Sequence, residues 1–300
     1  METQFLLVGK LFVLMGIGVL LRKRGMIPEE GKKLLTDLII NLILPCSIIT
    51  SFLTEVTAER MRQTAVILVL SAGIQLASYF VGYFGYRHCK ETHQPVMQYG
   101  TLCSNSGILG TPVAEGIFGA EGTLLAAVFL IPLRIVMWTL GMTFFTKEKG
   151  EFPIKRILTH PCIVAVIIGI VLMLSGAPLL ALAAESLKTI GMCNTALSMI
   201  LVGSIIADMD VKLLYHPDTL YFSAVRLVLL PLAVFLTCNL LKIDHLVRNV
   251  SVVLTAMPAG ATTSILALKY GSDADFASAC TALTTVLSLA AVPLWCGLLI

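Results

Sequence analysis

Residues 104–112 read Ser-Asn-Ser-Gly-Ile-Leu-Gly-Thr-Pro and residues 257–264 read Met-Pro-Ala-Gly-Ala-Thr-Thr-Ser, each inside a long apolar run. Both stretches are rich in helix breakers: inside a helix, glycine costs about 1 kcal/mol and proline about 3 kcal/mol relative to alanine. Within a bilayer, each backbone group that a break frees must meet a cavity, a ligand or a polar neighbour. The two stretches therefore predict broken helices that line a binding site. The alternative is an ordinary proline kink in a packed bundle.

The whole chain around these stretches is apolar. Of its 300 residues, 57% are hydrophobic and 13% are charged, and the mean hydropathy is +0.91. A soluble domain has about 25% charged residues, and a bilayer core is crossed by about 20 apolar residues in a helix. The composition predicts an all-α membrane protein with ten transmembrane helices, at residues 5–21, 34–53, 64–86, 97–118, 121–145, 161–180, 187–207, 219–241, 249–268 and 274–299.

Lysine and arginine are distributed unevenly between the two sides of these predicted spans. Thirteen lie in the connections on one side and five in those on the other. Because basic residues mark the cytoplasmic side, the chain is expected in the cell (inner) membrane with both termini on the non-cytoplasmic side.

The two halves of the chain resemble each other at an offset of 152–153 residues. Phe-Gly-Ala-Glu at 118–121 aligns with Tyr-Gly-Ser-Asp at 270–273, and Asn41 aligns with Asn194. The pattern predicts two five-helix repeats, 1–146 and 161–300, joined by a cytoplasmic connection at 147–160. Since five is odd, the second repeat is inverted, which is a common plan of secondary carriers. In such folds the broken helices, here the fourth and ninth, point their N-termini at a bound anion.

Three charged residues lie deep within the predicted spans: Glu115, Arg134 and Arg226. A charge at mid-bilayer costs at least about 2.5–3.5 kcal/mol, so each should face protein, a partner or water. A guanidinium can grip a carboxylate through two parallel hydrogen bonds, which makes both arginines candidates for binding an anionic substrate. The alternative is a structural pair between Glu115 and one arginine. Glu115 is also a candidate to carry a coupling proton.

The two breaker stretches resemble those of the auxin efflux carrier family. Asn-Ser-Gly-Ile-Leu-Gly-Thr-Pro at 105–112, followed by Phe-Gly at 118–119, is similar to that family's N-x-G-x-x-G-x-P…G signature. Met-Pro-Ala at 257–259 and Tyr-Gly-Ser-Asp at 270–273 resemble its ninth span. The short central connection is like that of bacterial members often called malate or malonate permeases.

This resemblance implies a ten-helix inverted repeat whose fourth and ninth helices cross. It also implies a scaffold part of spans 1, 2, 6 and 7 and a transport part of spans 3–5 and 8–10. Such proteins are often dimers, which here would form through the scaffold helices. Asn41 in span two and Arg226 in span eight also fit the resemblance.

The leading hypothesis is a secondary active transporter that moves small carboxylates, such as malate, malonate or auxin-like acids, by alternating access. Asn105 would hold the substrate by its amide, and the half-helices after Gly110 and Pro258 would supply backbone N–H donors. The predicted substrate-binding residues are Asn41, Asn105, Ser106, Gly107, Gly110, Thr111, Pro112, Arg134, Arg226, Pro258, Ala259, Gly260, Thr262 and Thr263.

Two other functions of the same fold stay open, an anion channel and a membrane sensor. An enzyme is not expected, because the chain has no HExxH, GxSxG or GxGxxG motif. The eight cysteines show no metal-ligand spacing, and all five histidines lie in predicted connections. The expected partners are the small organic anion and the lipid bilayer, with no cofactor, metal or nucleic acid.

Overall fold

The computed structural model describes residues 2–53, 57–145, 159, 161–175, 179–207, 216–260 and 262–299. Apart from one isolated bridge, its regular structure is helical throughout these residues. Nearly all of the predicted connection at 147–160 lies outside the described residues. The helices are α1 Glu2–Lys23, α2 Glu29–Phe52, α3 Ala58–Gly85, α4 Gln94–Leu102, α5 Thr111–Trp138, α6 Pro161–Ser175, α7 Ala181–Gly191, α8 Cys193–Ile206, α9 Pro217–Leu240, α10 His245–Thr255, α11 Thr262–Lys269 and α12 Ala274–Leu299.

Three short π-helical stretches lie within or directly before these helices. Ile39–Ile43 is part of α2, Ser106–Gly110 leads into α5, and Val225–Leu229 is part of α9. A π-helical turn shifts the side chains that follow it around the helix axis, and such turns are frequent at functional sites. The last two contain Gly107 and Arg226, which were predicted from the sequence as substrate-binding residues.

Six segments of the described chain are long and apolar enough to cross a membrane. They are Glu29–Phe52, Ala58–Gly85, Ser106–Phe144, Ala181–Ile205, Pro217–Leu240 and Ala274–Leu299. Ser106–Phe144 contains a backbone reversal at Gly119 (φ 66°, ψ −151°), which lies between the predicted spans four and five. The all-helical class is confirmed, and the count of ten spans stays a prediction.

The helices pack in two groups. In the first, α1 packs against α8, and α2 packs against α6 and α7. In the second, α3 packs against α4 and α5, α9 against α10 and α12, and α11 against α12. Helix α5 also contacts α1, α2 and α8, so it forms much of the contact between the groups.

Glycines allow α1 and α8 to approach closely. A Cβ atom added at Gly18 would overlap the backbone of Ile200, and one added at Gly203 would overlap the backbone of Met15. Small residues at such crossings let two membrane helices touch through their backbones.

Replacing Gly203 by valine should therefore force α1 away from α8. Overpacking costs about 1–3 kcal/mol in a well-packed interior, and here the clash is with backbone, which cannot rotate aside. We expect a clearly lower apparent melting temperature of the purified protein in detergent. Gly16→Val is the matched control, because a Cβ at Gly16 meets no atom within 4 Å. Equal melting temperatures for the two variants would show that the α1–α8 contact contributes little to stability.

Candidate functional site

Two interruptions of the helices, one after α4 and one after α10, lie against each other. Ser104 and Ala259 form an isolated antiparallel bridge. The backbone N–H of Asn105 donates to the carbonyl of Pro258 (2.8 Å), and that of Gly260 donates to the carbonyl of Cys103 (2.9 Å). Residues 103–105 and 258–260 therefore hold each other through main-chain bonds deep inside the protein.

Arg226 stabilises the C-terminal helix ends at these two interruptions. Its Nε donates to the carbonyl of Met257 (3.0 Å) and its Nη1 to the carbonyl of Thr101 (3.0 Å). The side chain is buried. Carbonyls at the C-terminal end of a helix lack intrahelical partners and carry partial negative charge. The guanidinium supplies hydrogen bonds and an opposing charge at the ends of α4 and α10 together.

Hydroxyl groups satisfy further backbone groups at the same place. Ser106 Oγ donates to the carbonyl of Leu254 (2.7 Å) and lies 2.5 Å from Ser104 Oγ. The N–H of Ala259 donates to Thr284 Oγ1 (3.2 Å). Thr263 is fully buried, and its Oγ1 has no hydrogen-bond partner among the described residues.

The amide of Asn105 is available to a ligand. Its side chain is half-buried and makes no hydrogen bond to the residues that the structure describes, whereas its backbone is bonded to Pro258 and Leu109. Asn105 directly precedes the π-helical turn Ser106–Gly110. The first N–H groups of a helix have no intrahelical partner and favour an anion. An amide and a helix N-terminus thus lie side by side.

Arg134 on α5 lies next to this N-terminus. A methyl group added at Gly107 would be 3.8 Å from Arg134 Nη2. The Arg134 side chain is only 6% exposed, and its Nη1 is buried without a hydrogen-bond partner in the described part of the chain. Within the same part, no carboxylate forms an ion pair with it, and the guanidinium donates a hydrogen bond to the Cys162 sulfur. A buried guanidinium with an unused donor is suited to receiving an anionic group.

Glu115 does not pair with either arginine within the described residues. Its carboxylate accepts hydrogen bonds from Asn194 Nδ2 (2.8 Å) and Thr195 Oγ1 (3.3 Å). It is half-buried where α5 meets α8, and Asn194 is fully buried. Sequence reasoning noted Asn194 only as the counterpart of Asn41 and did not place it at a site. The indication in the sequence was a single asparagine within an apolar span.

The predicted substrate-binding residues do not all lie together. Asn41 is exposed, and its amide donates to the carbonyl of Asp37 on its own helix (2.8 Å). It lies outside the cluster at the two interruptions. The residues placed at or beside the interruptions are Asn105, Ser106, Gly107, Gly110, Thr111, Pro112, Pro258, Ala259, Gly260, Thr262 and Thr263, with Arg134 and Arg226 against them.

The family and the known proteins that the chain resembles are all transporters. Residues 5–296 match the family described as membrane transport protein. An uncharacterized transporter of Methanothermobacter thermautotrophicus is 27% identical, with 94% of each chain covered. One from Methanocaldococcus jannaschii is 25% identical over 94% of each chain. A third, from Escherichia coli, is 21% identical over 95% of this chain and 94% of its own.

Proposed function

The chain belongs to the membrane transport protein family, and on that premise we propose that it is a secondary active transporter for small organic anions. The family and the apolar helices make it an integral membrane protein that works in a lipid bilayer and moves a substrate. The substrate class we propose is a small carboxylate such as malate, malonate or an auxin-like acid.

One observation carries the proposal: the buried Arg134 beside Gly107. Its Nη1 has no partner among the described residues, and its Nη2 lies 3.8 Å from the position of a Cβ at Gly107, in the helical turn that follows Asn105. Burying a guanidinium with an unsatisfied donor is costly, and a bound carboxylate would satisfy that donor with charge-assisted hydrogen bonds. The cation and the backbone N–H groups favour an anion over a cation, and the amide of Asn105 can add N–H donors to them.

We propose a ten-helix fold of two inverted five-helix repeats, 1–146 and 161–300, in which the interrupted helices cross. The repeat is supported by two glycines that the sequence offset aligns. Gly119 and Gly271 both have positive φ, 66° and 67°, a conformation that glycine adopts far more readily than other residues. The crossing is supported by the Ser104–Ala259 bridge.

Transport would proceed by movement of one helix group against the other. The group of α3–α5 and α9–α12 carries the interruptions and both buried arginines, and α5 makes much of its contact with the remaining helices. In carriers of this plan, access alternates as one part rocks around a fixed site. We further propose that the other helices form a homodimer scaffold, and that both termini lie outside the cytoplasm.

The test of the carrier hypothesis is counterflow of radiolabelled malate, malonate and indole acetate in liposomes that contain the purified protein. We expect saturable uptake driven by unlabelled anion on the opposite side, with at least one of the three acids. Uptake that does not saturate and is not driven by trans substrate would instead indicate a channel. Folded protein that moves none of the acids would contradict the proposed substrate class.

Asn105→Ala should weaken this transport. A hydrogen bond to a charged group contributes about 1.5–3 kcal/mol, so we expect the half-saturating anion concentration to rise about 10- to 100-fold. Asn41→Ala removes the same amide at an exposed position and is the matched control, for which we expect wild-type values. Equal transport by all three proteins would remove Asn105 from the site.

We propose that Glu115 carries the coupling proton. Among the described residues it is the acid that accepts a hydrogen bond from the buried Asn194, where α5 packs against α8. Glu115→Gln keeps the shape and one acceptor oxygen for Asn194 and Thr195, but it cannot release a proton. We expect it to retain counterflow and to lose accumulation driven by an imposed pH gradient. If the variant still accumulates substrate on a pH gradient, Glu115 is not the coupling residue.

A further inference from the structure

The N-terminal ends of three helices of the described chain meet in a polar cluster. His93 directly precedes α4, His216 and Asp218 lie at the start of α9, and Asp273 directly precedes α12. All three connections are on the side predicted to be cytoplasmic. Nothing in the proposed transport mechanism uses these residues.

The side chains of this cluster converge on one carboxylate oxygen. His93 Nδ1 lies 2.7 Å from Asp218 Oδ2, and His216 Nδ1 lies 4.0 Å from the same atom. One ligand atom from each of these three residues falls within 4.8 Å of the other two. The three donors are therefore close enough to bind one ion after small side-chain rotations.

The surroundings fix the His93 ring. It stacks on Phe276 of α12, with ring centroids 3.6 Å apart and 6° between the planes. Its Nε2 lies 3.7 Å from Asp273 Oδ2. A carboxylate on the outer nitrogen of an imidazole is the usual means by which proteins orient a metal-binding histidine. The stacking on Phe276 holds the ring with Nδ1 directed at Asp218, and a small rotation of Asp273 would bring its carboxylate within hydrogen-bond distance of Nε2.

Access to the cluster is available from one side. The His93 side chain is 6% exposed and that of Asp218 18%, whereas that of His216 is 50% exposed. A site closed on the His93 side and open on the His216 side lets an ion enter from solvent and leaves room for a water ligand.

We propose that His93, His216 and Asp218 form a binding site for a divalent transition metal such as Zn²⁺. Two imidazoles and one carboxylate, with water as a fourth ligand, are a common zinc set. Nitrogen donors favour zinc, copper or nickel over magnesium and calcium, which prefer all-oxygen sites. Binding would exchange two existing hydrogen bonds, His93 to Asp218 and the Asp218 N–H to His216 Nδ1, for metal–ligand bonds. The ion would link the starts of α4 and α9.

The experiment measures Zn²⁺ binding to the purified full-length protein in detergent, by competition with a fluorescent chelator and by bound-metal stoichiometry. We expect one zinc ion per chain at this site, with Mg²⁺ and Ca²⁺ failing to compete. His216→Gln, at a half-exposed position that should not disturb folding, should weaken binding by more than about 100-fold, beyond the loss of an outer-shell partner alone. His88→Gln, at an exposed histidine outside the cluster, should bind as the wild type does.

Two results would overturn the proposal. One is wild-type protein that binds no zinc at stoichiometric levels. The other is equal zinc affinity in the wild type, His216→Gln and Asp218→Asn, which would place the zinc elsewhere, for instance on an exposed thiol such as Cys193. Because binding is measured without any transported anion, the outcome is independent of the proposed function.

Discussion

Arg134→Gln is expected to abolish anion transport while the protein remains folded. The substitution replaces the buried cation with a shorter, neutral amide. Hydrogen bonds to a charged group contribute about 1.5–3 kcal/mol, and truncating one side of a buried charge pair costs about 2–5 kcal/mol. At about 1.4 kcal/mol per factor of ten, the half-saturating concentration should rise at least about 10-fold, and at the upper end of this range transport falls below what can be measured. Counterflow in liposomes measures it.

The matched control for this variant is Arg62→Gln. Arg62 is exposed on α3 and pairs with Glu59 one turn away, so its replacement removes a positive charge from the protein without touching the interruptions. We expect wild-type transport. Arg134→Lys should recover part of the activity, because an ammonium supplies charge without the planar fork of a guanidinium. If Arg134→Gln transports as well as Arg62→Gln, the anion site is not at Arg134.

Arg226→Met is expected to produce the largest loss of stability. Methionine is unbranched, like the stem of arginine, and packs well in an apolar interior, but it is shorter and donates no hydrogen bond. The carbonyls of Thr101 and Met257 would each lose the guanidinium that they now accept from. An unsatisfied buried polar group costs about 1–3 kcal/mol, so the sum is about 2–6 kcal/mol. The measurement is the apparent melting temperature and the yield of monodisperse protein in detergent.

Arg62→Met provides the comparison, since it makes the same change at an exposed position. We expect it to melt within a few degrees of the wild type. A melting temperature for Arg226→Met equal to that of Arg62→Met would mean that the ends of α4 and α10 do not depend on Arg226. Its role would then have to be sought in substrate binding, as the sequence alone suggested.

The backbone breaks at the site could be predicted from the sequence, because they depend on the conformational preferences of residues that are adjacent in the chain. Glycine, proline and hydroxyl side chains within apolar runs mark the segments where the structure is non-helical, 103–105 and 256–260. The reversal at Gly119 lies in the two-residue connection predicted at 119–120. Each of these features depends on the conformational preference of a few adjacent residues, which needs no knowledge of the rest of the fold.

The different roles of the two buried arginines could not be predicted from their neighbours in the sequence. In the sequence, Arg134 and Arg226 are each a lone cation in an apolar run, and both were predicted to bind substrate. The structure distinguishes them by their partners: Arg226 donates to two backbone carbonyls, whereas Arg134 retains a donor without a partner in the described chain. Partners that are 31 and 125 residues distant are set by tertiary packing.

Two further features were missed for the same reason. Glu115 meets Asn194 across 79 residues, and His93 meets Asp218 across 125 residues. Sequence motifs for metal ligands and polar pairs describe residues that are close together in the chain, so they do not cover separations of this length. Of the histidines predicted to lie in connections, His88, His93 and His216 do so, whereas His245 begins α10 and His160 lies outside the described residues. Which connections meet in the fold could not be predicted from composition or periodicity.

The most direct test of the central claim, that an organic anion binds at Arg134, is equilibrium binding of radiolabelled malate, malonate and indole acetate to protein purified in detergent. This measurement does not depend on a gradient, on the orientation of the protein in a liposome or on leakage. We expect at least one acid to bind saturably to the wild type and to Arg62→Gln, with the affinity for that acid at least about 10-fold weaker in Arg134→Gln. Equal affinity in all three folded proteins would contradict the account.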